Sequence, residues 1–109
     1  MKLLIDDADT KEIRRLYDLY PLDGVTTNPS ILSKTGRNPK EVLHEIREII
    51  GNDLLFVQAI PRDAKGMIED AKAIVSELGK DTVVKIPSIP EGFKATRELK
   101  KLCITCKKR

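Results

Sequence analysis

The chain has no tryptophan, two tyrosines, two phenylalanines, one histidine and two cysteines in 109 residues, and each shortage removes a class of chemistry. A single cysteine pair, Cys103 and Cys106, is too little for the disulfide framework that staples small secreted domains. Its C-x-x-C spacing would suit half a zinc site or a redox pair. No second pair accompanies it, however, and His44 lies far away in a helical stretch, so no metal, redox chemistry or other cofactor is expected. The one basic run, Lys107-Lys108-Arg109, has no aromatics beside it on which bases could stack, so no nucleic-acid partner is expected. No apolar stretch approaches the ~20 residues of a membrane span. Met1-Lys2-Leu3-Leu4-Ile5 meets Asp6 and Asp7 too early for a secretory signal, so a cytoplasmic protein without a membrane partner is expected.

What is present is ordinary globular material. The chain is 40% hydrophobic and 34% charged, with 20 basic against 17 acidic residues spread along its length, enough for one domain with one core and no strong external field. Leu3-Leu4-Ile5 predicts a short strand. Asp9, with Glu12 three residues on, predicts a capping box and a helix whose buried stripe is Ile13, Leu16, Tyr17 and Tyr20, ended by Pro21. Gly24 introduces a second strand, Val25-Thr26-Thr27, that stops at Asn28-Pro29, and Ile31-Leu32 suggests one helical turn. Asn38 and Pro39 open a clearer helix with Val42, Leu43, Ile46, Ile49 and Ile50 at a 3.6 period, stopped by Gly51.

Leu54 to Ile60 is an apolar run broken only by Gln58, the pattern of a strand buried on both faces of a parallel sheet. Asp63 caps the next helix, with Met67, Ala71, Ile74, Val75 and Leu78 inward. Thr82 to Pro87 is a fourth strand, followed from about Glu91 by a helix with Ala95, Leu99 and Leu102 inward. A fifth strand is expected to start at Cys103. The alternation of strand and helix predicts a parallel α/β sheet, either a barrel or a doubly wound open sheet. A closed eight-stranded barrel takes ~250 residues, so this chain would hold about half of one, with two open edges that favour association with a second copy.

In such folds ligands bind beyond the carboxyl ends of the strands. Each of four successive strands places a polar residue there: Asp6, Asn28, Gln58 and Lys85. Alternation sets Lys85 on the face of Val83, and Gln58 on that of Leu54 and Phe56, so in a barrel both point inward. An ammonium among apolar neighbours tends to lose its proton, and a neutral amine attacks carbonyls to form a Schiff base that lets an adjacent C–C bond break or form. Asp6 is suited to proton exchange, Gln58 to holding a water, and Thr26 with Asn28 to the hydroxyls of a sugar. Each also has a plain structural use. Asp6 could end a strand, Asn28 could cap a helix, Lys85 could snorkel into water, and Gln58 could satisfy a buried backbone group.

The segments Leu4-Ile5-Asp6, Gly24-Val25-Thr26-Thr27-Asn28-Pro29-Ser30, Phe56-Val57-Gln58-Ala59 and Val83-Val84-Lys85-Ile86-Pro87 resemble, in order and spacing, those of the small transaldolase family and its fructose-6-phosphate aldolases. The resemblance covers roughly residues 1 to 102 and leaves 103–109 as a divergent basic tail. It implies the first four βα units, half of a TIM (β/α)8 barrel, as a single truncated domain. It also implies Lys85 as the Schiff-base lysine, Asp6 and Asn28 on the substrate's hydroxyls, Thr26 lining the site, and a sugar or ketose substrate. Glutamine at position 58 leans towards free-ketone aldolases over transaldolases. Family members continue through four more strands, which supply a threonine, a tyrosine and the phosphate-holding arginine and serine. Two outcomes follow: a Schiff-base enzyme whose barrel is completed by self-pairing, or an inactive half-barrel that serves as a self-assembling interaction module.

Overall fold

The computed structural model describes residues 2–108. Its elements are β1 (Leu4–Asp6), α1 (Thr10–Leu19), β2 (Gly24–Thr26), α2 (Pro29–Ser33), α3 (Pro39–Ile50), β3 (Leu54–Gln58), α4 (Ala64–Leu78), β4 (Thr82–Ile86), α5 (Pro90–Lys101) and β5 (Cys106–Lys108). The strands form one parallel sheet in the order β1-β2-β3-β4-β5. Spatial order equal to chain order distinguishes the two architectures left open by the pattern. A doubly wound sheet reverses its order at a switch point, whereas a barrel never does, so this sheet is compatible with half of a (β/α)8 barrel. Among the described residues no helix is long and apolar enough to cross a membrane.

The chain divides into two compact units, Met1–Phe56 and Val57–Arg109. In the first, Val25 and Leu55 lie fully buried with Ile13, Val42 and Ile46. Strand β2 approaches β3 so closely that a Cβ on Gly24 would stand 2.3 Å from the Leu54 carbonyl oxygen, which is why β2 opens on glycine. Asp9 caps α1 by accepting from the Lys11 and Glu12 amides. The reciprocal half of the expected capping box is missing: the Asp9 amide donates to Asp7 Oδ1 instead, and the Glu12 carboxylate turns to Arg15. Tyr20, expected in the buried stripe, is 53% exposed. Pro21 disfavours the helical conformation at the residue before it, and Tyr20 is extended at φ −128°, ψ 149°.

In the second unit the core is Met67 and Ala71 of α4, Val84 and Ile86 of β4, Ala95 and Leu99 of α5, with Ala59. Helix α5 lies so tightly over the end of β4 that a Cβ on Gly92 would sit 1.9 Å from the Pro87 carbonyl oxygen. Two expectations fail at the chain's end. The fifth strand starts at Cys106, not Cys103, because Cys103 is left-handed at φ 60° and the Ile104 amide returns to the Leu99 carbonyl, closing α5. Leu102 therefore falls beyond the helix and is 51% exposed.

Glu91 at the start of α5 reaches across to α4, accepting from the Ala64 amide at 3.2 Å. That hydrogen bond, followed by Lys94, holds its carboxyl below the usual glutamate range. A carboxylate favoured in the folded state stabilises above the unfolded value of about 4.3 and loses this contribution as pH falls through its folded value. Glu91→Gln should therefore lower the urea midpoint at neutral pH, and the deficit relative to the parent chain should close as pH drops below about 4. A deficit independent of pH would show that the charge is not involved.

Candidate functional site

The first unit carries Asp6, Thr26 and Asn28. Asp6 and Thr26 are the last residues of their strands and are register partners. Partners in a parallel pair share a face, and the Thr26 hydroxyl donates to Asp6 Oδ1 at 2.7 Å. The next residue, Thr27, is fully buried, and its hydroxyl donates to the Phe56 carbonyl oxygen at 2.8 Å. Asp7 is occupied locally, accepting from the Ala8 and Asp9 amides at 2.7 and 3.0 Å. Asn28 caps α2, its Oδ1 accepting from the Ile31 amide at 2.9 Å. The structural role weighed for Asn28 is thus realised, and Asp6 with Thr26 remains as the pair that no helix end uses.

A cleft of about 640 Å³ opens beside Asp6, between the loop after β1 and the segment after α2, with Thr10, Lys34, Thr35 and Arg37 on its walls. Arg37 donates to Glu45 at 2.7 Å, and Arg14 lies 3.7 Å from the same carboxylate. Arg37, then Thr10, holds Glu45 below the usual carboxylate range. Sequence reasoning passed over Lys34, Thr35 and Arg37. Their position in the connection that follows a strand's carboxyl end was the available signal.

The second unit carries Gln58 and Lys85. Val84 and Ile86 pack under α4 and α5, so alternation turns Lys85 to the other face with Val83. Lys85 is half-buried between fully buried neighbours. The Ala59 amide donates to the Lys85 carbonyl at 3.1 Å, which brings the ends of β3 and β4 level, and Ala59 belongs to the helix-side core, which leaves the half-buried Gln58 on the face of Lys85. On the other side of β4, Lys85 is the register partner of Lys107 on β5. A fifth strand starting at Cys103, as the sequence pattern suggests, would give Lys85 a different neighbour.

A sequentially ordered parallel sheet with polar side chains at its strands' carboxyl ends belongs to the barrel class of α/β proteins. The particular family follows from comparison. The Transaldolase/Fructose-6-phosphate aldolase family profile matches residues 3–107, further than the expected residue 102, and the chain belongs to that family. It is 45% identical over 95 residues to a probable transaldolase of Aquifex aeolicus, covering 87% of this chain and 43% of that protein. A probable transaldolase of Geobacter sulfurreducens is 43% identical over 99 residues, covering 91% of this chain and 45% of that one. For one from Nitrosopumilus maritimus the figures are 38% over 99 residues, 91% and 44%. The chain thus spans a little under half the length of these relatives.

The Thr26–Asp6 hydrogen bond is partly solvated, so its coupling should be small but measurable. In a double-mutant cycle of Thr26→Val and Asp6→Ala, followed by urea unfolding, an interaction of about 0.5–1.5 kcal/mol is expected. Strict additivity would show that the two side chains are independent in solution.

Proposed function

We propose that this chain is a Schiff-base aldolase or transaldolase half-barrel acting on a ketose or sugar phosphate, with no metal or organic cofactor. The observation that carries the reading is Lys85, a half-buried lysine inside a core strand and turned away from the helices. Its neutral amine would add to the ketone carbonyl and expel water to give a protonated imine. A base then takes the proton of the hydroxyl on the β-carbon, and the bond between the α- and β-carbons breaks with its electrons flowing through the α-carbon to nitrogen, leaving an enamine and releasing an aldehyde. Asp6 shuttles protons, its carboxylate oriented by Thr26. Gln58 holds a water by its amide, and Asn28, whose Oδ1 is committed to the helix cap, offers its amide hydrogens to a substrate hydroxyl. Gln58 favours aldol cleavage and addition over group transfer. The reading includes a cytoplasmic location.

The proposal includes association of the chain with itself. Strands β1 and β5 each have one neighbour in the sheet, and such edges present unpaired backbone groups. Exposed apolar residues occur in both units, Leu3, Leu19 and Tyr20 in the first and Ile60, Phe93 and Leu102 in the second. Light scattering on the purified chain should give an even-numbered assembly; a monomer at micromolar concentration would overturn the paired half-barrel.

The chemistry is tested by borohydride reduction in the presence of dihydroxyacetone. A single reduced adduct is expected on Lys85 by peptide mapping and none in Lys85→Met. If no adduct forms on an assembled chain, the enzyme reading fails and the inactive, self-assembling half-barrel takes its place.

A further inference from the structure

Asp6 belongs both to the strand-end pair with Thr26 and to the lining of the cleft beside it, so the first unit's site continues outward from β1. At about 640 Å³ the cleft has the size of a small-molecule site, for which roughly 300–1,000 Å³ is usual. Its two walls differ in charge. On the α1 side stand Asp6, Asp7 and Asp9, each with Oδ1 accepting from a hydroxyl or an amide and with Oδ2 lacking a hydrogen-bond partner among the described residues. The other wall is the segment after α2, and residues 24–40 contain no aspartate or glutamate. Of the cations on the lining, Arg37 is engaged with Glu45, which also takes the Thr10 hydroxyl. Lys11 stands in the first turn of α1, two residues from Asp9. Lys34 has neither an ion pair nor a side-chain hydrogen bond among the described residues. The turn that follows it is braced: the Thr35 hydroxyl donates to the Leu32 carbonyl oxygen at 2.7 Å and accepts from the Arg37 amide at 3.1 Å.

The two walls ask for different groups of one ligand. Ionised carboxylates only accept, so the α1 wall takes hydroxyl donors and repels an anion. An ammonium only donates, and it draws an anion to the opposite wall. A ligand that satisfies both carries hydroxyls along its chain and a phosphate at one end. We propose that this cleft is a subsite for the terminal phosphate of a polyhydroxylated substrate, with Lys34 as the group that binds the phosphate. The inference rests on the Schiff-base reading above, in which the substrate meets Asp6, and deepens it by giving that substrate a direction. Its hydroxyls lie along Asp6, Asp7 and Asp9, and its phosphate end points away from the strand ends towards the turn after α2. The half-barrel thus holds the anion with a residue of its own, without the arginine and serine that the resemblance assigns to later strands. Lys34 is a specificity residue, since a neutral polyol of the same length forgoes its contact.

The test uses glycerol 3-phosphate, which has hydroxyls and a phosphate but no carbonyl and so forms no imine. The full chain, labelled with nitrogen-15, is titrated with it and followed by NMR. Saturable shifts are expected at the amides of Lys34, Thr35, Arg37 and Asp6, and none with glycerol at the same concentrations. In Lys34→Gln the affinity should fall by about fivefold, while Lys34→Arg should retain it. Lys34 is exposed, so neither substitution disturbs the core. Unchanged affinity in Lys34→Gln, or inorganic phosphate binding as tightly as glycerol 3-phosphate, would overturn the proposal. The titration is independent of Lys85, and Lys85→Met should give the same affinity. A borohydride adduct on Lys85 without Lys34-dependent binding therefore removes the subsite alone, whereas Lys34-dependent binding without an adduct supports the subsite and removes the aldolase.

Discussion

The packing of Val84 and Ile86 beneath α4 and α5 is the constraint on which the second unit depends. A strand offers two faces, and once the β-branched residues on one of them are buried among Met67, Ala71, Ala95 and Leu99, the residue between them has no choice of direction. Lys85 is that residue. Moving its ammonium to the helix side would require a one-residue slip, which would carry Val84 and Ile86 out of the core at about 1.5–3 kcal/mol for each large side chain. The position of the lysine is therefore maintained by hydrophobic packing that it takes no part in, and Gly92 preserves it by letting α5 close over the end of β4.

At the strand ends of the first unit, backbone and site compete for the same kinds of side chain. Asp7 accepts from the Ala8 and Asp9 amides ahead of α1, while Asp9 and Asn28 spend their oxygens on amides in the first turns of α1 and α2, which leave donors without helical partners. A cap of this sort is worth about 1 kcal/mol, enough to account for such residues without any chemistry. Asp6 differs because its partner is the Thr26 side chain on a neighbouring strand. Register, not helix capping, brings those two together, and register is set by the burial of Val25 and Leu55.

This separates what could be read in the sequence from what could not. The βα order, the caps at Asp9, Asn38 and Asp63 and the apolar periods of α3 and α4 were legible because each is a local pattern with a local cause. The direction of Lys85 was legible from alternation alone. The Thr26–Asp6 bond needed the pairing register, which no local pattern encodes. Tyr20 and Leu102 were misplaced because both continue an apolar period past the residue that ends the helix. Pro21 ends α1 through its effect on Tyr20, while α5 ends at a left-handed Cys103, a conformation uncommon outside glycine that composition does not announce. The register of β5, and with it the neighbour of Lys85, was lost with that turn.

The same charges bear on how copies of the chain would meet. An edge strand that carries lysines is a poor template for its own kind, since two β5 edges would bring like charges together. The β1 edge ends in Asp6. In the paired half-barrel, closure of β5 on the β1 edge of a second copy puts carboxylate and ammonium along the same seam, and a two-fold axis makes that contact twice. Such an arrangement has no free edge left to propagate, whereas pairing of like edges leaves two.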